Sequence, residues 1–224
     1  MSSREPIDSR TIRREYVNMK RAVRIDQKEE RREAILREAR KFLESREYDE
    51  ITLTDVAERL GLVKGTLYRY FPTRETLFLE LCDDELGAWF ESARESAREE
   101  PDTEAWIRAV SADCAGRKPL LKLVGRIHVI LERNVESGRI AGFKAATLER
   151  IEGLADALSE AYGIPSRRAS TFILEAYVAL VGLAQVAFPP ESVKAAIATN
   201  SAFAVFAPPF EPTMRSMLRR LLLS

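Results

Sequence analysis

A run of hydrogen-bond donors between residues 64 and 74 contains the side chains best suited to bind a polyanion. Lys64 and Arg69 carry positive charge for phosphates or guanine edges, and the Thr66 hydroxyl can contact either. Gly65 has no side chain, so the backbone there can approach a partner closely. We therefore predict base contacts chiefly from Lys64, Thr66 and Arg69. Contacts with the DNA backbone are predicted for six surrounding residues: Thr52, Thr54, Tyr68, Tyr70, Thr73 and Arg74.

Two short helices joined by a tight turn, over residues 52–71, must hold these donors in place. Thr52 can cap the first helix, and Asp55 stands at the spacing of a capping box. Gly61 stands where the first helix must stop, and Pro72 ends the second because the residue before proline avoids helical geometry. A helix, a glycine-containing turn and a second helix with donors near its N-terminus is the helix-turn-helix arrangement that reads a major groove.

The same pattern has a second interpretation, because short helix pairs with glycine turns also occur in helical proteins that never contact DNA. In that case Tyr68, Tyr70 and Phe71 would be packing aromatics. Residue spacing alone leaves both interpretations open.

The run GLVKGTLYRYFPTRETLF, residues 61–78, closely resembles the signature of the TetR family of transcriptional regulators. The resemblance is dense over about residues 28–81 and only architectural beyond residue 90. It implies a homodimeric, ligand-responsive regulator, more often a repressor, that binds a palindromic operator in double-stranded DNA. One departure is Val63, where the family often has a small hydroxyl residue that caps the recognition helix. Loss of such a cap costs about 1 kcal/mol.

Two other classes of protein also fit parts of the pattern. One is a helical enzyme or small-molecule carrier that kept a helix-turn-helix-like fold, and the other is a module that binds DNA without an effector. The sequence contains no glycine-rich phosphate loop or nucleophile motif, and its single histidine leaves most acid–base schemes without a partner. We therefore predict a regulator that is not an enzyme, with no catalytic residue, cofactor or metal site.

The net charge of zero hides an asymmetry between the two ends of the chain. Residues 1–74 hold 18 Lys and Arg against 14 Asp and Glu, whereas the remaining residues hold 17 against 21. A basic N-terminal part on a mildly acidic remainder suits a DNA-contacting head on a body that does not contact phosphates. The difference is modest and supports the motif without deciding the function alone.

The two cysteines, Cys82 and Cys114, fall inside helical patterns and lack the spacing of metal ligands. We predict that both are buried thiols in a reducing compartment. No N-terminal apolar segment resembles a signal peptide, so we expect the chain to stay in the cytoplasm.

The pattern predicts an all-α fold in three parts. Residues 1–27 form a basic, partly disordered N-terminal arm, residues 28–73 a three-helix helix-turn-helix head, and residues 74–224 a helical ligand-binding and dimerisation domain. The arm has three interpretations: a solvated tail, a basic segment that follows phosphates or a minor groove, and a helical extension of the first helix.

Hydrophobic periodicity predicts a series of helices in the second domain. Their predicted bounds are 74–98, 103–114, 119–137, 142–162, 167–187, 190–205 and 211–223. The 74–98 helix begins beside the head and ends in the second domain. An effector that tilts this helix would change the separation of two DNA-binding heads, provided that it prefers one separation.

The effector site is predicted from amphipathic or aromatic side chains on helices that could converge. The candidates are Trp89, Trp106, His128, Phe143 and Tyr177. Each also fits plain core packing, and for His128 a hydrogen-bonded core histidine is favoured over a ligand contact. The apolar character of the set suits a lipophilic ligand, with Glu132 or Glu175 as partners for a cation.

Residues 172–188 contain a single charged side chain, Glu175, and are too short and too interrupted for a membrane span. A helix buried on nearly all sides fits this composition better. In TetR-like proteins the late helices of two subunits pair into a four-helix bundle. By that resemblance and by apolar excess, residues 167–187 and 190–205 are predicted to form the homodimer interface, with no membrane partner.

Overall fold

The computed structural model describes the backbone of residues 9–223 and the side chains of residues 27–129 and 132–222. Over residues 9–223 the secondary structure is helical and contains no strand, which confirms the predicted all-α fold. The α-helices are α1 Ser9–Ser45, α2 Leu53–Arg59, α3 Lys64–Tyr70, α4 Arg74–Glu99, α5 Thr103–Gly116, α6 Lys118–Val124, α7 Ser137–Tyr162, α8 Ser166–Ala187, α9 Glu191–Ala198 and α10 Phe210–Leu223.

The head consists of α1, α2 and α3 around a small apolar core. Ile35 and Leu43 of α1, Val56 of α2 and Leu67 of α3 are fully buried in it. A 3₁₀ turn over Tyr48–Glu50 joins α1 to α2. Its buried residue, Tyr48, packs edge-on against Phe78 of α4, so the head and α4 share one core.

The first helix is longer than predicted. It begins at Ser9, not at residue 28, so residues 9–27 are the helical extension that was one of the three interpretations of the arm. The predicted disorder of residues 1–8 lies outside the described residues.

The long helix α4 forms the centre of the second domain. Thr73 caps it, since Thr73 Oγ1 accepts a hydrogen bond from Thr76 N at 3.0 Å. One face is buried as predicted, and its members include Phe78, Cys82, Leu86, Trp89, Phe90, Ala93 and Ala97. Helices α5, α6 and α7 pack against α4. Helix α8 packs against α6 and α7, and α10 packs against α5 and α8.

Helices α4 and α7 cross with reciprocal glycine–arginine packing. A Cβ on Gly87 of α4 would lie 3.1 Å from Arg150 Nη2 of α7. Gly153 of α7 faces Arg94 of α4 in the same way, with a Cβ 3.8 Å from Nε. Arg150 also pairs with Asp83 of α4. The two helices therefore fit together in one register.

The predicted helix over residues 119–137 is wrong, because α6 stops at Val124. A π-helical segment over Ile127–Leu131 and a 3₁₀ turn over Glu132–Asn134 follow it. Gly125 lies against α8, where Gln185 Nε2 donates to its carbonyl at 2.6 Å. At the break, Arg126 N donates to Leu123 O at 2.8 Å, and Lys122 O, the acceptor of a continuing α-helix, accepts instead from Arg126 Nη1 at 2.7 Å.

The predicted helix over residues 190–205 is also shorter than expected. Helix α9 ends at Ala198, and Asn200 starts a 3₁₀ turn over Ser201–Phe206 by accepting a hydrogen bond from Ala202 N at 2.9 Å. Asparagine makes such local bonds readily, which favours a turn over a continuous helix. No residue of α9 or of this turn is buried in the described part of the chain.

Helix α8 has the predicted extent but is only partly covered. By length and composition alone it could cross a membrane, and 44% of its most apolar stretch is buried within the described part of the chain. A core helix of a soluble protein meets the same criterion. The exposed apolar side chains of α8 recur at helical spacing, and they are Leu174, Val178 and Val186.

Candidate nucleic-acid interface and effector cavity

The predicted capping box at the start of α2 is confirmed. Thr52 Oγ1 accepts a hydrogen bond from Asp55 N at 3.2 Å, and Asp55 Oδ2 accepts one from Thr52 N at 2.8 Å. Hydrogen bonds from the Thr52 hydroxyl and backbone hold the pKa of Asp55 below its ordinary value. This box fixes the direction in which the chain enters α2.

The turn between α2 and α3 is built on Gly61, as predicted. Its φ of +63° lies in the left-handed region that glycine adopts without strain. Leu62 N then donates to Ala57 O at 2.9 Å and closes the turn. Helix α3 starts at Lys64 without a side-chain cap, because Val63 has no acceptor to offer and is 77% exposed.

Six of the ten predicted DNA-contacting residues line one open cleft of about 400 Å³ on the head. It lies where the N-terminus of α2, one face of α3 and the N-terminus of α4 meet. Its lining consists of Thr52, Leu53, Thr54, Lys64, Tyr68, Thr73 and Arg74. Within it, Lys64 Nζ stands 5.8 Å from the centre of the Tyr68 ring. Hydroxyls, two cations and two helix N-termini around one cleft form a surface suited to phosphate.

Arg74 is held in this cleft from below. Its guanidinium carbon lies 4.4 Å from the centre of the Tyr48 ring, and its Nε lies 3.6 Å from Glu75 Oε1. Its Nη1 makes a long contact of 3.5 Å with the carbonyl of Ile51. Burial raises the pKa of Tyr48 to about 12, so the ring stays neutral beneath the cation at physiological pH. Arg74 is therefore oriented by the head core as well as exposed to a partner.

The other four predicted residues, Gly65, Thr66, Arg69 and Tyr70, do not line this cleft. Gly65 and Arg69 are exposed on α3, and nothing lies within 4 Å of a Cβ placed on Gly65. Tyr70 lines a different groove beside Lys28 and Arg31 of α1. Sequence reasoning missed these two cations. The step of 100° per residue along a helix could have shown that Tyr68 and Tyr70 face different ways.

A second cavity lies inside the helical domain, enclosed by α4, α5, α7, α8 and α10. Three of the five predicted effector residues line it, namely Trp89, Trp106 and Tyr177. The other lining residues are apolar: Phe90, Ala93, Val110, Leu154, Phe172, Ile173, Ala176 and Leu218. The volume of the cavity that the centre of a water molecule can reach is about 20 Å³, which is room for about one water. Burial also raises the pKa of Tyr177.

The two remaining candidates, His128 and Phe143, do not line this cavity. Phe143 is buried elsewhere on α7. The favoured interpretation of His128 as a core histidine is wrong, because its side chain is 44% exposed once the helix breaks before it. Its Nδ1 lies 3.1 Å from Glu132 Oε2, and its ring stands edge-on to Tyr177 with 6.4 Å between centroids.

Glu132 and Glu175 also lie away from the cavity lining. Glu132 pairs with Lys144 of α7 at 2.5 Å. Partial burial raises the pKa of Glu132, but the hydrogen bonds from Lys144 and His128 outweigh that and lower it overall. Glu175 is exposed on α8.

The segment between α6 and α7 links the cavity wall to the head. Its π-helical part contains His128, whose ring stands edge-on to Tyr177, and its 3₁₀ turn contains Asn134. The Asn134 carbonyl lies 3.5 Å from Thr73 Oγ1, the hydroxyl that caps α4 and borders the cleft. The two candidate sites are therefore joined by one short, irregular stretch of chain.

Comparison with known proteins adds relatives in both parts of the chain. The HTH-type transcriptional regulator EthR of Mycolicibacterium smegmatis is 34% identical over 76 residues, which are 33% of this chain and 35% of that protein. The alignment thus spans about a third of the relative's length.

Two solved structures share the fold. The TetR family repressor AlkX from Dietzia sp. strain DQ12-45-1b has a TM-score of 0.50 at 21% identity, over 84% of this chain and 96% of that one. Thermus thermophilus FadR, a TetR family repressor in complex with lauroyl-CoA, has a TM-score of 0.55 at 18% identity, over 86% and 91%. At these identities the likeness shows the fold alone.

Two known protein families together match residues 35–81 and 83–223 of the chain. Residues 35–81 match the description "Bacterial regulatory proteins, tetR family". Residues 83–223 match "Tetracyclin repressor-like, C-terminal domain", which is more than half of the chain. Members of this family are DNA-binding regulators and not enzymes. The chain belongs to the TetR family of transcriptional regulators.

Proposed function

We propose that this regulator is a cytoplasmic homodimeric repressor that binds a palindromic operator and releases it when a small molecule occupies the helical domain. TetR-family regulators bind DNA and small-molecule effectors. The observation that carries the proposal is the cleft in which Thr52, Thr54, Lys64, Tyr68, Thr73 and Arg74 come together around three helix ends.

In this proposal α3 is the recognition helix and enters the major groove. Lys64, Thr66 and Arg69 contact base edges, and Gly65 lets the backbone approach closely. The cleft residues other than Lys64 contact the phosphates and fix the register, because the N-termini of α2 and α4 favour negative charge. Tyr70, on the opposite groove with Lys28 and Arg31, contacts a neighbouring stretch of backbone.

The homodimer would form through α8, with help from the segment after it. Leu174, Val178 and Val186 are 54%, 64% and 46% exposed and lie along one side of α8. The 3₁₀ turn after α9 adds exposed apolar side chains, with Val205 at 74% and Phe206 at 66%. A second copy on these side chains would bury apolar surface, as protein interfaces do. Two recognition helices would then meet successive major grooves about 34 Å apart.

The domain boundary is proposed near the start of α4. The head would comprise residues 28–73 and the body residues 74–224; the two family matches divide between residues 81 and 83, inside α4, which supports a division close to that boundary. The extension of α1 over residues 9–27 belongs to the head.

The decisive experiment is selection of bound duplexes from a random pool with the purified full-length protein at two salt concentrations. The proposal requires a palindrome whose half-sites lie about one helical turn apart, with affinity that falls as salt rises. Binding to unrelated duplexes that vanishes at moderate salt would leave only a generic basic surface. Tight binding of small molecules without any DNA binding would instead indicate a carrier.

A further inference from the structure

The two tryptophans that line the internal cavity differ in the state of their indole N–H. Trp106 Nε1 donates to the carbonyl of Ala93 at 2.9 Å inside the domain. Trp89 is only 6% exposed, and its Nε1 is buried without an acceptor in the described part of the chain. A buried donor without a partner destabilises the folded protein, so a group left this way is a marker of function.

The cavity around Trp89 contains no charge. Its lining includes no Asp, Glu, Lys, Arg or His among the described residues. The nearest carboxylate of the segment beside it, Glu132, is already neutralised by Lys144 at 2.5 Å and bonded to His128 at 3.1 Å. Transfer of an ionic ligand into such a cavity would leave its charge without a partner, which is strongly unfavourable.

We propose that this cavity binds a neutral, mostly apolar molecule with one carbonyl group, whose oxygen accepts the Trp89 Nε1–H hydrogen bond. The inference rests on the proposed effector function and specifies the class of effector. Five aromatic rings in the lining, those of Trp89, Phe90, Trp106, Phe172 and Tyr177, favour a flat or aromatic apolar body. The carbonyl would give the buried Trp89 indole N–H the acceptor that it lacks among the described residues.

The closed cavity must widen to admit such a molecule. Its free space is about the size of one water, whereas a small aromatic ketone such as acetophenone has about nine non-hydrogen atoms. The aliphatic side chains that can move are Val110, Ile173 and Leu218. Leu218 belongs to α10, which packs on both α5 and α8, so entry of the ligand would press α10 outward.

The test compares three probes on the purified full-length protein by isothermal titration calorimetry. Acetophenone carries the carbonyl, α-methylstyrene has a CH₂ group in place of its oxygen, and benzoate carries a charge. We expect acetophenone to bind about fivefold more tightly than α-methylstyrene, the contribution of one hydrogen bond, and benzoate not to bind. Equal affinity for the first two probes, preference for benzoate, or no binding of any probe would overturn the proposal.

Matched variants assign the effect to one indole. Trp89→Phe should reduce the ratio between acetophenone and α-methylstyrene to about one, whereas Trp106→Phe should leave the ratio as in the wild type. If Trp89→Phe kept the ratio, Trp89 would not be the donor. If either variant failed to fold, the wild-type ratio would decide alone.

Operator binding measured without any probe separates this inference from the proposed function. A protein that selects a palindrome yet shows a probe ratio of one refutes the ligand class only. A protein that shows the ratio but selects no duplex refutes the regulator mechanism and leaves the binding site standing.

Discussion

Replacement of Arg74 by alanine should weaken both DNA binding and the fold, whereas Lys64→Ala should weaken DNA binding alone. Both side chains line the cleft. Arg74 also lies 4.4 Å from the centre of the buried Tyr48 ring and is 29% exposed. Lys64 is exposed and stands 5.8 Å from the ring of Tyr68, which is itself exposed. The two cations thus share a predicted partner but differ in their attachment to the head.

The magnitudes follow from these environments. A half-buried cation–π contact contributes about 1 kcal/mol, so Arg74→Ala should lower the free energy of unfolding by that amount. For a chain of this length, that corresponds to a thermal midpoint lower by about 3 °C. Lys64→Ala should stay within about 0.5 kcal/mol of the wild type. In a homodimer Arg74→Ala removes two phosphate contacts, so the slope of log K against log salt should fall by about 2, whereas Lys64→Ala removes contacts with base edges and should lower the affinity for the operator.

The assay is fluorescence anisotropy on the selected operator duplex at several salt concentrations, with thermal melts of the same preparations. Arg74→Lys is the control, since it keeps a charge for phosphate but loses the planar group that stacks on Tyr48. It should keep the salt slope and lose stability. An unchanged salt slope in Arg74→Ala would refute the cleft as a phosphate site. Equal melting of the two variants would refute the stabilising role of the Arg74–Tyr48 contact.

Three further predictions concern the cap, the thiols and the dimer. The lowered pKa of Asp55 adds stability above its ordinary pKa, which is lost as pH falls through the lowered value. The melting difference between wild type and Asp55→Ala should therefore shrink below about pH 4, and a constant difference would contradict the cap. Burial raises the pKa of Cys114 to about 12 and also raises that of Cys82. A thiol reagent at pH 8 should therefore label the native protein far more slowly than the unfolded chain. Rapid labelling of the two cysteines in the native protein would contradict their burial. Val178→Glu should yield monomers in light scattering and abolish tight operator binding, and a persistent dimer would exclude α8 from the interface.

The features that sequence predicted well depend on residues close together in the chain. Thr52, Thr73 and Asp102 cap their helices because a hydroxyl or carboxylate needs only a backbone N–H three residues on. Gly61 and Gly163 end theirs because their left-handed φ is a local requirement. Such signals are complete within a few residues, so they could be read without the fold.

The features that sequence missed depend on distant parts of the chain. Where helix α6 ends, Gly125 lies against α8, and Gln185, sixty residues away, donates to its carbonyl. That break exposes His128, which periodicity alone had placed on an apolar stripe. The internal cavity shows the same limit, since aromatic spacing suggested Phe143 together with Trp89, but only the packing of α7 determines which of them faces the cavity.

The glycine–arginine crossing of α4 and α7 provides a point about which α4 could pivot. A Cβ on Gly87 would lie 3.1 Å from Arg150 Nη2, so a slide that brought a larger side chain under Arg150 would be resisted, whereas the 3.8 Å between a Cβ on Gly153 and Arg94 Nε is an ordinary contact. Rotation about the crossing remains open. From Gly87 to Arg74 the arm measures about 20 Å at 1.5 Å per residue. A rotation of about 10° therefore displaces the Arg74 end by about 3.5 Å, close to the spacing of successive base pairs. A small rotation of α4 at the cavity would thus displace the cleft by about one base-pair spacing.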